Sequence, residues 1–189
     1  FHTDRRGFLV QTGAATAALA AASNVARPAK GGPAVVTVRD KSRKSVSGST
    51  VDAAIIQRLV DRAVMDLSGT DDIAAAWKTY VNPGEKVAVK FNGLFRGATT
   101  HPEVITAVTD GIVKAGVDPA RITVYDRHDK DFNTSRIAMN RDGKGVRIYG
   151  TEGKYGPEVN AGPVATKLSN ILLEADALVN ISFLKSHVR

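Results

Sequence analysis

Polar residues able to do chemistry recur in this chain at the ends of short apolar runs. Lys90 and Asn92 close the run begun by Val87-Ala88-Val89, Asp126 follows Ile122-Thr123-Val124-Tyr125, and Lys185 and His187 follow Ile181-Ser182-Phe183-Leu184. A glycine-spaced stretch, Gly93-Leu94-Phe95-Arg96-Gly97, leads into Thr99-Thr100-His101 just ahead of Pro102. Ammonium and amide groups hold carboxylates and phosphates, and the start of a helix offers free backbone N–H groups to the same ligands. Histidine titrates near neutrality and moves protons. The chemistry indicated is therefore the binding of a small anionic ligand or cofactor by Lys90, Asn92, Thr100 and Asp126. His101, Lys185 and His187 are the candidates for catalysis. A metal held by His101, Asp126 and His187 is chemically feasible, yet such wide separation carries no ligand-spacing signature, so metal and cofactor stay unassigned. Each residue also has a purely structural reading. Lys90 and Lys185 are candidate solvent-facing strand ends, Asn92 a turn residue, His101 a helix-start residue, and Asp126 a loop cap or a partner of Arg127. None of the familiar phosphate-cradling, serine-nucleophile or zinc motifs is present.

For these groups to meet, the runs that carry them must be neighbouring parallel strands with their carboxyl ends together. Apolar patterning predicts strands over 34–39, 86–91, 121–125, 146–149 and 177–183. Between them, helical spacing is expected around Ala54 to Val64, with Ser49 or Thr50 as its cap, and over 71–80, 102–115 and 165–174. The segment 102–115 has the clearest signals. Thr100 stands at or just before its cap, Pro102 in its first turn, Glu103 at its positive end, and Gly116 stops it. Residues 126–144 read as a polar loop and 150–162 as turn-rich. Strands alternating with helices imply an α/β fold, a mostly parallel sheet with helices on both faces in Rossmann-like layering. In such sheets ligands bind beyond the carboxyl ends of the strands, where the polar residues gather. The sequence stops at Arg189, after a buried-looking strand and a polar tripeptide and without the helix that would cover that strand, so it reads as part of a longer protein, truncated at its C-terminus.

Composition narrows the classes. The chain has 189 residues, 43% of them hydrophobic and 24% charged, which suits one globular domain rather than a disordered chain. It has no cysteine, which excludes disulfides, thiolate-held metal or iron–sulfur centres and a cysteine nucleophile within these residues. No run of apolar residues is long enough for a conventional membrane span. The net charge is +7, but the basic residues are dispersed and only 6% of the chain is aromatic. That argues against nucleic acid and for general solvation plus an anionic ligand.

The first thirty residues read as an address and linker, and 31–189 as the α/β domain. Asp4-Arg5-Arg6-Gly7-Phe8-Leu9 precedes an alanine-rich, mildly apolar run that ends in Ala20-Ala21-Ala22. A charged head, a short apolar middle and a small-residue exit form an export signal. The paired arginines followed by Phe-Leu are those of the twin-arginine type. The expected partner is the twin-arginine export machinery, and the expected location is periplasmic or extracellular. That route carries folded proteins, which favours a protein that takes up a cofactor before export.

The same polar residues carry a family resemblance. Val87-Ala88-Val89-Lys90-Phe91-Asn92, then Thr99-Thr100-His101-Pro102-Glu103, Lys114-Ala115-Gly116, Tyr125-Asp126 and the closing run through Lys185-Ser186-His187 resemble, in order, the domain-of-unknown-function 362 family. The resemblance spans about 87–189. It implies an unassigned activity. Some members carry ferredoxin-type cysteines, which this chain lacks. The strand ending in Lys-x-His is loosely similar in layout to the nickel-pincer lactate racemases, an analogy of site only. Two functional readings follow. One is an exported enzyme or cofactor-binding protein using the strand-end crevice. The other is a non-catalytic module that captures an anion or serves a redox partner.

Overall fold

The computed structural model describes residues 35–94 and 97–184. Its centre is a four-stranded, all-parallel sheet of β3 (Val87–Lys90), β4 (Ile122–Tyr125), β5 (Arg147–Ile148) and β8 (Ala177–Asn180). The spatial order is β5-β4-β3-β8. From β3 the chain steps outward through β4 to β5, then returns to place β8 on the other side of β3. The order therefore reverses between β3 and β8, and open parallel sheets form their binding crevice beyond such a reversal.

Register separates the two faces of the sheet. Val87, Ile122 and Ala177 lie side by side, as do Val89, Val124 and Val179, and this face is the core. Against it packs α3 (Pro102–Lys114), burying Ile105, Val108 and Ile112. Two further helices, α1 (Ala53–Ser68) and α2 (Ile73–Lys78), close over α3. Gly111 of α3 meets the indole of Trp77 from α2, and a Cβ placed there would lie 2.0 Å from Nε1. On the opposite face, a four-residue helix, α5 (Asn170–Leu173), lines a small cavity with Ala88, Thr123 and Arg147. The α/β class and parallel sheet are as the patterning predicts.

Several local expectations are corrected. Residues 35–40 form no strand, and Val35 is 89% exposed, since no strand among the described residues pairs with them. A two-residue ladder, β1 (Val46–Ser47) with β2 (Thr50–Val51), precedes α1 instead. The cap of α1 is Asp52, whose Oδ1 accepts the Ile55 N–H at 2.9 Å, and not Ser49 or Thr50. A short helix, α4 (Lys130–Thr134), stands inside the expected loop. The largest departure lies at 150–174. The predicted helix over 165–174 is an antiparallel hairpin of β6 (Tyr155–Ala161) and β7 (Val164–Ser169), with only α5 helical. Gly162, at φ 65°, supplies the tight turn that puts Ala161 opposite Val164, and Val164 and Thr166 suit a strand. Among the described residues no helix is long and apolar enough to cross a membrane.

Candidate functional site

The carboxyl ends of β3 and β4 present a tied pair of charges. Lys90 is the last residue of β3, and its register partner Tyr125 is the last of β4, so both side chains leave the same face. Asp126 follows Tyr125 and is buried. Its Oδ1 receives the Lys90 ammonium at 2.8 Å and the Arg127 N–H at 2.8 Å, while Oδ2 accepts the Gly93 N–H at 2.8 Å. The ammonium also donates to the Phe91 carbonyl. A charged donor and two backbone donors satisfy the carboxylate, and the Lys90 side chain stays 34% exposed. Gly93 has to be glycine here, since a Cβ would lie 2.8 Å from the Asp131 carbonyl oxygen and from the Phe91 ring.

A second cluster lies at the β3–β8 reversal. Thr100 is buried, and its hydroxyl donates to the Ile181 carbonyl at 3.1 Å while accepting the Asn92 N–H at 3.2 Å. One side chain thus ties the segment after β3 to the segment after β8. Thr100 is not the cap of α3. The cap position belongs to His101, whose side chain makes no capping hydrogen bond. The His101 ring stands edge-on to Phe183, 6.5 Å between centroids. The Asn92 Oδ1 is buried with no hydrogen-bond partner among the described residues. An amide oxygen left in that state accepts from any donor brought to it.

Beside this cluster, beyond the carboxyl end of β3, opens a cleft of about 650 Å³. Thr99, His101 and Pro102 line one side and Asn133, Ser135 and Arg136 the other, with Ser49 and Gly97 completing it. None of these lining residues is acidic. Arg136 stands at φ 57°, a left-handed conformation that costs a non-glycine residue of the order of 1 kcal/mol or more.

The predicted site residues therefore fall into groups. Lys90 meets Asp126, Asn92 meets Thr100, and His101 faces the cleft. Lys185 and His187 lie outside the described residues. No group of three or more His, Asp or Glu side chains able to hold a metal occurs among the described residues. Sequence reasoning did not find Arg136, Asn133 and Ser49, which no motif connects. Asp129 follows the same strand end as Asp126, but its pairing could not be read: its carboxylate takes the Arg141 guanidinium at 2.8 and 2.9 Å and the Gly150 N–H at 2.7 Å.

Residues 87–189 match the family described as Domain of unknown function (DUF362). That is more than half of the chain. The chain belongs to the DUF362 family. The match begins at the first residue of β3, so the parallel sheet and both polar clusters lie inside the DUF362 region, while α1 and α2 precede it. No curated protein and no solved structure matches this DUF362 chain.

Tyr125, buried at the end of β4 in this DUF362 chain, holds its phenol above the usual tyrosine range, through burial first and the neighbouring Asp126 carboxylate second. Burial does the same to Tyr80. Both phenols stay neutral in the fold at a pH where the unfolded chain ionises. Their contribution to stability is present below the ordinary tyrosine value, near 10, and is lost as pH rises through the higher folded values. Phenolate absorbance should therefore rise at higher pH in the native protein than in denaturant. Coincident curves would contradict the burial of Tyr125 and Tyr80.

Proposed function

We propose that this is an exported protein that binds a small anionic ligand or cofactor in the cleft beyond β3 and acts on it as an enzyme. The observation that carries the reading is the cleft lining: hydroxyl, amide, imidazole and guanidinium groups with no acidic side chain. Anion recognition needs donors and positive charge, and a volume of about 650 Å³ suits a small molecule. Arg136 and the Asn133 amide hold the ligand's oxyanion, with Lys90 and Asn92 beside the cleft at the β3 end and Thr100 fixing the backbone around them. His101, with no capping bond to hold its ring, is the group that gives or takes a proton. Asp126 is a positioning residue, since its oxygens are taken up in orienting Lys90 and the two backbone N–H groups. Lys185 and His187, two and four residues beyond Phe183, complete the catalytic set. Asp4-Arg5-Arg6-Gly7-Phe8-Leu9 supports twin-arginine export.

One observation favours a second reading, the capture module. Asp126 and Thr100 are fully engaged with protein groups, which suits rigid holding as well as it suits catalysis.

Native mass spectrometry of the protein recovered from the periplasm tests the proposal. The expected spectrum shows the processed chain carrying a small ligand, with the adduct lost in Arg136→Gln. A bare chain would sink the ligand reading. Finding the chain in the cytoplasm with its first residues attached would sink the export reading alone. Loss of turnover in His101→Ala with the adduct retained separates enzyme from capture module.

A further inference from the structure

We propose a second oxyanion site, separate from the cleft beyond β3, in the groove between α5 and the second face of the sheet, with Arg147 as its anchor. The groove has a main cavity of about 310 Å³ and a small one of about 40 Å³, and both are lined by Arg147, Tyr149, Ile171 and Glu174. Basic residues stand at both ends, Arg141 and Lys154 along the larger cavity, Lys86 and Arg121 along the smaller. Two carboxylates, Asp142 and Glu174, stand among these five cations.

What distinguishes Arg147 is the state of its guanidinium. Arg141 is neutralised by Asp129 at 2.8 Å and lies over the Tyr149 ring, 4.8 Å from its centroid. Arg121 donates to the carbonyls of Gly84 and Glu85. Arg147 is half-buried, its Nε is buried with no hydrogen-bond partner, and no described residue forms an ion pair with it. A guanidinium partly removed from water without an acceptor is costly, and its planar fork matches the two oxygens of a carboxylate or phosphate. Its position fixes it firmly, since it sits in β5 opposite Thr123 of β4. The ligand class is a small molecule bearing a phosphate or carboxylate. The oxyanion lies on Arg147, Lys154 screens it from the rim, and the remainder runs along Ile171.

Titrations of the folded protein with inorganic phosphate and, separately, acetate at matched ionic strength test this, read by thermal shift and by amide chemical shifts. Saturable binding of either is expected, with the shifts centred on residues 147–154, and the stronger of the two names the class. Arg147→Gln should weaken it by about tenfold, as loss of a charge-assisted bond does, while Lys78→Gln, at an exposed lysine that lines neither the groove nor the cleft, leaves it unchanged. Glu174→Gln, which removes a carboxylate from the groove without touching Arg147, should tighten it. If Arg147→Gln does not fold, Glu174→Gln decides, and unchanged affinity there overturns the proposal. Absence of saturation by both anions, or shifts centred on residues 99–102 and 133–136 instead, overturns it as well. Because the two linings share no residue and their amide shifts report on different places, failure of this site leaves the reading of the β3 cleft standing, and the converse holds.

Discussion

Gly111→Ala is expected to destabilise the protein by about 2–3 kcal/mol, although alanine is the better helix former. Two effects oppose one another. In the interior of α3 an alanine gains roughly 1 kcal/mol of helix propensity over glycine. Against that, the new methyl would lie 2.0 Å from the Trp77 Nε1 and 2.6 and 2.7 Å from two ring carbons. Trp77 is 4% exposed and part of the central core, so the indole cannot move aside without displacing its neighbours. Overpacking a close-packed core costs about 1–3 kcal/mol and sometimes more, and a contact this short belongs at the top of that range. In a domain of this size the net loss lowers the melting temperature by about 4–12 °C. Thermal unfolding followed by tryptophan fluorescence reads it directly, because the chain has one tryptophan. A melting temperature equal to or above wild type would mean that α2 and α3 are not packed as described.

The second large effect belongs to Asp126. Replacing it with alanine strands three donors at once: the Lys90 ammonium, the Gly93 N–H and the Arg127 N–H. Breaking a buried ion pair from one side costs about 3–5 kcal/mol. The lower end applies here, because a third of the Lys90 side chain stays in contact with water. The expected loss is therefore about 3 kcal/mol, measured by denaturant unfolding. Asp126→Asn keeps an acceptor for a backbone donor and should lose less. Lys90→Met alone should be milder than Asp126→Ala, since it leaves the carboxylate its two backbone donors. Should Asp126→Ala unfold at the wild-type midpoint, the ion pair would not be holding the β3 and β4 ends together.

Both effects concern places that a reader of the sequence sees unequally well. The strands at 87–90 and 122–125 were legible because a parallel strand buried on both faces is an unbroken apolar run, and each ends where the first polar side chains appear. The helix from Pro102 was legible because its proline and acidic first turn are local signals. The run near 34–39 has the same apolar character, yet a strand exists only through a partner, and local sequence does not say whether one is present. The hairpin at 155–169 was hidden for a related reason. Ala165, Leu168 and Leu172 fit helical spacing, whereas the deciding feature is the pairing across Gly162.

In the site, position was readable and role was not. Strand-end geometry brought Lys90 toward Asp126, and the sequence placed both in the crevice. That Asp126 faces three donors, and that Thr100 spans two strand ends instead of capping a helix, depends on residues far away in the chain. The same holds for Arg141 on Asp129 and for the unpaired Arg147, because no spacing rule joins them. Gly150 was the available signal. Its missing side chain leaves room for the Asp129 backbone 2.5 Å from where a Cβ would be.

The strand order has a consequence for how the crevice comes into being. Lys86 donates its backbone N–H to Asp176, 90 residues later, and Thr100 reaches Ile181 across 81. Strands β3, β4 and β5 with α3 assemble from successive segments. The sheet edge built by β8 needs a loop of that length to close, an entropic cost of about 4 kcal/mol before any contact is made. Docking of β8 therefore completes a sheet whose other three strands pair between nearer segments, and only with it does the Ile181 carbonyl receive the Thr100 hydroxyl. A chain in which β8 is undocked keeps the residues that line the cleft but loses the hydroxyl bond that clamps their backbone to the neighbouring strand end.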